Sequence, residues 1–285
     1  MNFSKEQIAA EIIKLAKFSE NENDVTVLKQ IFSFIDLTSL NTTDNDVVIR
    51  AMVEKVNQFS AQFPDYPNVA AICVYPNFTS LVKETLTVKD VNIAVVSACF
   101  PSSQSFLAVK LAETSIAVEK GANEVDIVIS LGKFLNKQYQ EVANEISLLK
   151  ASCGNAHMKV ILETGSLPDE ESVYVASMLS MEAGADFIKT STGKVDPAAT
   201  YEAVYIMAQA IKEYYEKTGK KIGIKPAGGI VTVKQALVYY SIVKNILGEE
   251  WLNNKLFRIG ASRLANNILT KLNETKGIKT EVKYF

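Results

Sequence analysis

Short runs of apolar, often β-branched residues alternate along the chain with longer stretches whose apolar positions return every three to four residues. The first stretch, 4–19, places Ile8, Ile12, Ile13, Leu15 and Ala16 near helical spacing and reads as a helix. A strand is expected at Ile31–Leu37, followed by a helix over Asp44–Phe59 with Asp44 as its N-cap. The same pairing then recurs: Val69–Tyr75 with Phe78–Leu86, Val91–Ala98 with Gln104–Lys120, and Glu124–Ser130 with Lys137–Ser152. It continues with His157–Glu163 and Pro168–Ala183, Asp186–Ser191 and Pro197–Thr218, Ile222–Ala227 and Thr232–Leu247, and Leu256–Ala261 and Ser262–Leu272. Eight strand–helix pairs in about 250 residues have the size and order of a (β/α)8 TIM barrel, here with an extra N-terminal helix. A doubly wound open sheet shares the alternation. It would call for a G-x-G-x-x-G turn after the first strand, where Asp36-Leu37-Thr38-Ser39-Leu40-Asn41 stands instead. No Pro/Gly/Ser-rich linker divides the chain either. The expectation is one barrel domain over 1–285, with a helical extension at 1–28 and a mobile tail at 273–285.

An internal echo orients the strands. Glu119-Lys120-Gly121-Ala122-Asn123 leads into the fourth strand and Glu182-Ala183-Gly184-Ala185-Asp186 into the sixth, so Asp126 and Lys189 each lie five residues past a glycine. Strand side chains alternate between faces. With Val125, Ile127 and Ile129 packed on helices, Asp126 points into the barrel; Ile188 and Ile224 likewise leave Lys189 and Lys225 inward. The same parity turns Asp36 and Thr38 inward on the first strand, Cys73 on the second, Lys159 and Glu163 on the fifth and Arg258 on the eighth. Three acids (Asp36, Asp126, Glu163) then face four bases (Lys159, Lys189, Lys225, Arg258). An unpaired buried charge costs several kcal/mol, so this near balance points to a paired network at a barrel mouth. Lys159 and Arg258 could equally pair for stability at the closed end. Cys73 reads more simply as a small core residue than as a working thiol.

Composition narrows the chemistry. The chain has 285 residues, a net charge of −2, one histidine (His157) and three cysteines (73, 99 and 153). There is no basic surplus for a nucleic-acid backbone, and no apolar run approaches the roughly 18 residues of a membrane span. Met1–Glu20 interleaves Lys and Glu with its apolar residues and so lacks a signal-peptide core. Few cysteines, odd in number, point to a reducing cytoplasm. A single histidine disfavours a metal centre and a Ser–His–Asp triad.

Two inward lysines on neighbouring strands are the most informative feature. With ammonium groups roughly 6 Å apart and an effective dielectric near 20, their repulsion is about 2.8 kcal/mol. That corresponds to roughly two pKa units, and desolvation adds to it. A lysine neutral near physiological pH can add to a carbonyl and form an imine, with the Asp126 carboxylate placed to move protons. Parity alone leaves open which of Lys189 and Lys225 is the nucleophile.

Several segments resemble the deoxyribose-phosphate aldolase family. They are Ile35-Asp36-Leu37-Thr38, Ala71-Ile72-Cys73-Val74-Tyr75-Pro76, Gly121-Ala122-Asn123-Glu124-Val125-Asp126 and Lys159-Val160-Ile161-Leu162-Glu163-Thr164-Gly165, with three more downstream. Those are Gly184-Ala185-Asp186-Phe187-Ile188-Lys189-Thr190-Ser191-Thr192-Gly193-Lys194, Lys225-Pro226-Ala227-Gly228-Gly229 and Arg258-Ile259-Gly260-Ala261-Ser262. The match runs in order from about residue 30 to 270, and the sixth-strand motif is highly specific.

The resemblance implies a class I aldolase that reversibly cleaves 2-deoxy-D-ribose 5-phosphate to D-glyceraldehyde 3-phosphate and acetaldehyde, in deoxyribonucleotide breakdown. It implies Lys189 as the imine-forming nucleophile, Lys225 as the second lysine, Asp126 as the proton donor and acceptor, and no cofactor or metal. Phosphate commonly binds at the loops after barrel strands 7 and 8, which nominates Gly228, Gly229 and Ser262, with Lys194 close by. Asp36 and Thr38 are candidates for the sugar hydroxyls, whereas Thr190 faces outward. A homodimer is a family habit. The chain departs from the family pattern at Cys99-Phe100-Pro101-Ser102-Ser103, at Arg263 where a second serine is usual, and at Val231, a position commonly basic. The family's tail ends in a tyrosine that assists proton transfer; here Tyr284 is penultimate. An inactive phosphosugar-binding barrel, or an aldolase taking another acceptor aldehyde, are the alternatives.

Overall fold

Residues 4–18 and 21–285 are described by the computed structural model; residue 19 of the expected first helix, and residues 1–3 and 20 of the expected extension, lie outside them. The strands are β1 (Ile35–Thr38), β2 (Ala71–Val74), β3 (Asn92–Ser97), β4 (Glu124–Val128), β5 (His157–Ile161), β6 (Phe187–Lys189), β7 (Gly223–Lys225) and β8 (Ile259–Ala261). They pair in parallel in sequence order. β1 also pairs with β8, and bridges from Ile224 to Phe257 and from Ala227 to Gly260 close the last seam. The architecture is a (β/α)8 barrel.

The helices are α1 (Lys5–Phe18), α2 (Val25–Phe32), α3 (Asp46–Gln62), α4 (Thr79–Thr85), α5 (Leu107–Glu119), α6 (Leu131–Leu135) and α7 (Tyr139–Ser152). They continue with α8 (Glu170–Glu182), α9 (Tyr201–Thr218), α10 (Val233–Leu247) and α11 (Arg263–Thr275). None is long and apolar enough to cross a membrane among the described residues. α1 buries Ile8, Ile12 and Leu15 and packs on α9 and α10.

Two expectations are corrected. The apolar run at Ile31–Leu37 is not one strand: Asp24 caps α2 by accepting from Thr26 and Val27, and Leu28, Ile31 and Phe32 form its buried face before β1 begins at Ile35. The cap of α3 is Asn45, which accepts from Val47 and Val48, while Asp44 accepts from Ser39 and Asn41. The chain end packs back on the barrel's helices. α11 runs through Thr275, and the last residues return along it, where Asn266 receives the Tyr284 and Phe285 amides. The Phe285 ring stacks on Phe59 at 5.7 Å and meets Phe32 at 6.3 Å. Tyr284 and Phe285 thus each meet the Phe59 ring.

The echo before β4 and β6 is structural as well. Gly121 and Gly184 have φ of 111° and 105°, which end α5 and α8 in the same left-handed turn. Asn123 and Asp186 then each accept from the amide of the second residue of the preceding strand, Ile93 and Met158. Equal entries set Asp126 and Lys189 at equivalent positions along their strands.

Candidate active site

Inside the barrel, two halves differ in kind. On β2 and β3 the inward positions are Ala71, Cys73, Ala94 and Val96, a small apolar cluster that includes Leu40 and is flanked by Tyr75 and Phe100. The remaining strands project ions. Asp126 on β4 accepts from Lys159 on β5 at 2.9 Å, and its other oxygen accepts from Lys189 on β6 and Lys225 on β7, both at 2.8 Å. Register explains the meeting of the lysines, since Lys189 and Lys225 are direct partners across β6 and β7.

Below them, Asp36 on β1 lies 2.5 Å from Lys225 and accepts from Arg258, the residue before β8, at 2.7 Å. Glu124 on β4 contacts Lys159 at 2.5 Å and accepts from both terminal nitrogens of Arg258, at 3.1 and 2.7 Å. The Phe187 ring, two residues before Lys189, lies beside Lys159 and Arg258 at 6.0 and 5.8 Å. Glu124 is the residue that parity should have found: it stands two positions before Asp126 and therefore faces the same way.

These contacts separate the two lysines. Burial alone would lower the Lys225 ammonium, but Asp126 and Asp36 outweigh it and hold Lys225 protonated far into the alkaline range. Burial likewise works against Lys159, and Asp126 and Glu124 outweigh it in turn. Lys189 has one carboxylate in contact, already shared. Its pKa is lowered, first by burial and then by Lys225, against the pull of Asp126. Burial opposes ionisation of Asp126, but Lys159, Lys189 and Lys225 hold its carboxyl well below the usual range. Burial pushes the Cys73 thiol up, so it stays protonated.

Above the ions lies a cavity of about 220 Å³, lined by Lys189, Thr38, Lys194, Gly228, Gly229, Ser262 and Arg263 among others. Lys189 keeps 3% exposure, whereas Asp126 and Lys225 have none, so Lys189 is the member of the trio that reaches the cavity. Thr38 lines it while its hydroxyl donates to the Asp36 carbonyl. Asp36 does not line it; its carboxylate is spent on Lys225 and Arg258. Lys194 donates to the Leu40 carbonyl across the rim.

Gly228 sits at φ 88°, and a Cβ there would lie 2.6 Å from the Ala198 methyl and 3.0 Å from the Gly193 Cα. That position needs glycine both for its conformation and for the close approach of two loops. Ser262 makes no side-chain cap on α11.

Glu163, two residues past β5, lies in the left-handed region at φ 53°, and its carboxylate receives the Thr192 amide at 3.1 Å and hydroxyl at 2.5 Å. It shapes the loop carrying Lys194 and stands outside the ion cluster. Thr190 faces away, bonded to Ala227 through its hydroxyl. Tyr284 is not brought to this cavity: its hydroxyl donates to the Lys55 carbonyl on α3 at 2.6 Å. An adjoining apolar cavity of about 530 Å³ shares Thr38, Asn41, Ser262 and Arg263 with the first and is bounded by Phe285.

A family model described as DeoC/LacD family aldolase matches residues 31–246. The chain belongs to the DeoC/LacD aldolase family. A deoxyribose-phosphate aldolase of Homo sapiens is 40% identical over 274 residues, covering 91% of this chain and 85% of that one. Among solved structures, an aldolase named QR15 is 28% identical, with a TM-score of 0.69 over 86% of this chain and 96% of its own. The deoxyribose phosphate aldolase of Aeropyrum pernix, described as a tetramer, superimposes with a TM-score of 0.67 at 23% identity, covering 90% and 96%. At that identity the likeness is one of fold. Every catalytic candidate of this family member lies within the matched span, whereas Ser262, Arg263 and Tyr284 lie beyond it.

Proposed function

We propose that this chain is a cytoplasmic deoxyribose-phosphate aldolase that cleaves 2-deoxy-D-ribose 5-phosphate reversibly through an imine on Lys189. The observation that carries the reading is the unequal sharing of Asp126: Lys225 is pinned by two carboxylates, and Lys189 by one, at the cavity floor. The neutral Lys189 amine adds to the C1 aldehyde of the open-chain sugar. Loss of water from the carbinolamine gives the protonated imine, a sink for electrons. Removal of the C3 hydroxyl proton then breaks the C2–C3 bond. Its electron pair passes to C2 as the enamine, and C3 leaves as the aldehyde of glyceraldehyde 3-phosphate. Proton return to C2 and hydrolysis release acetaldehyde and regenerate the amine. Asp126, directly or through water, is the proton carrier, and the fixed Lys225 charge both disfavours protonation of Lys189 and holds Asp126 ionised. The phosphate is assigned to the Gly228–Gly229 loop and the first turn of α11, with Lys194 and Arg263 as its cations.

Borohydride reduction in the presence of acetaldehyde tests this. An N-ethyl group is expected on Lys189, together with glyceraldehyde 3-phosphate release in a coupled assay. Lys189→Leu should abolish both; a folded Lys189→Leu protein that still cleaves the substrate would sink the reading.

A further inference from the structure

The ion cluster contains more cation than anion, and its contacts are unevenly distributed. Asp36, Glu124 and Asp126 are the carboxylates; Lys159, Lys189, Lys225 and Arg258 are the bases. Arg258 touches Asp36 and Glu124, Lys159 touches Glu124 and Asp126 and lies 3.8 Å from Asp36, and Lys225 touches Asp36 and Asp126. Among the described residues, Lys189 touches the carboxylate of Asp126 alone. Glu124 takes a fourth donor from the Asn92 amide at 2.7 Å, which fixes its plane. A buried assembly with four bases and three acids is relieved by losing one proton, and the base with the fewest partners is the one that gives it up.

We propose that Glu124 and Arg258 are positioning residues for the imine chemistry: they fix the ion layer beneath Lys189 so that Lys159 and Lys225 are held as ammonium ions and Lys189 is the amine left over. Neither lines the cavity, and both are buried. The inference rests on the imine reading above and adds to it the reason that one lysine and not its neighbour reacts. The groups facing Lys189 are Asp36 on β1, Cys73 on β2, Glu124 and Asp126 on β4, Lys159 on β5, Lys225 on β7, Arg258 just before β8 and, at the rim, Lys194. β3 contributes no charge among the described residues: Ala94 and Val96 are apolar, and Asn92 is bonded to Glu124. Glu163, the remaining buried carboxylate nearby, is turned to Thr192 and makes no ion pair among the described residues.

The test is the acid limb of acetaldehyde trapping on Lys189, measured as rate against pH. A unit charge on the order of 9 Å away at an effective dielectric near 20 moves such a limb by about one pH unit. Glu124→Gln enlarges the cationic surplus and should move the limb to lower pH by that amount. Arg258→Met removes the surplus and should move it up. Arg258→Lys keeps the charge and should restore the wild-type position, as should the double variant Glu124→Gln/Arg258→Met.

Limbs that stay put, or move in the same direction in both single variants, overturn the proposal. Absence of trapping in the wild type instead overturns the imine reading itself. Should the single variants fail to fold, 13C NMR of lysine Cε in the wild-type protein decides. Lys159 and Lys225 should keep ammonium shifts across the range in which Lys189 titrates, and titration of either in its place refutes the assignment.

Discussion

Replacing Asp126 by asparagine should separate imine formation from turnover. Three lysine Nζ atoms lie 2.8 to 2.9 Å from this carboxylate, which has no exposed surface. At 2.8 Å and an effective dielectric near 20, one such pair is worth about 6 kcal/mol, or roughly four pH units, in favour of the lysine's charged form. A carboxamide oxygen retains part of that attraction, so the Lys189 pKa should fall by about two units or more. Trapping by acetaldehyde and borohydride should therefore extend to lower pH, while cleavage of the sugar phosphate falls by about 10²–10⁴-fold for want of a proton carrier.

The fold should lose about 3–5 kcal/mol, as when one partner is removed from a buried ion network. The sign of the pH dependence follows from the depressed Asp126 pKa: its contribution is complete above the ordinary carboxyl range and is lost as pH falls through the folded value. The stability gap between wild type and variant should thus be widest near neutrality and narrow below about pH 4. Parallel trapping and cleavage assays across pH, with urea unfolding at two pH values, make the measurement. Equal loss of trapping and turnover, or a trapping limb displaced upward, would refute the reasoning.

Two further outcomes address the phosphate end. Arg263→Ala should lower the preference for the phosphorylated over the unphosphorylated sugar by about tenfold, the worth of one charge-assisted hydrogen bond, read as the ratio of kcat/KM values. Gly228→Ala should raise KM and lower Tm, because it adds a strained left-handed residue costing about 1–3 kcal/mol and drives a methyl into Ala198; an unchanged KM would argue that this loop does not touch the substrate.

The barrel was legible because its signals are periodic. Alternation gave eight strands, and parity turned Asp126, Lys189, Lys225, Lys159 and Arg258 inward as found. The same parity applied one step earlier would have included Glu124. What was hidden depended on non-local contacts. The Ile31–Leu37 run conceals the end of a helix and the start of a strand, since both are fully buried and apolar continuity carries no boundary. α6, five residues with Gly132 inside, is too short to show a period. Asp36 and Thr38 share a face but divide in role. One is drawn down to Arg258 and Lys225, and the other ends its strand at the cavity. Glu163 faces Thr192 only because its backbone enters the left-handed region, which alternation does not foresee. The seat of Tyr284 and Phe285 rests on Phe32 and Phe59, more than two hundred residues away in the chain.

The lopsided lining of the barrel has an electrical consequence. Along β2 and β3 the wall is methyl groups and a protonated thiol, which polarise weakly; opposite stands a plate of fixed ions. Field lines from that plate cannot spread sideways into the weakly polarisable wall and so leave toward the open end. A small aldehyde entering there meets a gradient before it meets any atom, its oxygen drawn to the cationic side and its hydrocarbon end left to the methyls. The pocket thus aims its guest by electric torque, with few directional contacts needed to a molecule that has almost nothing to grip.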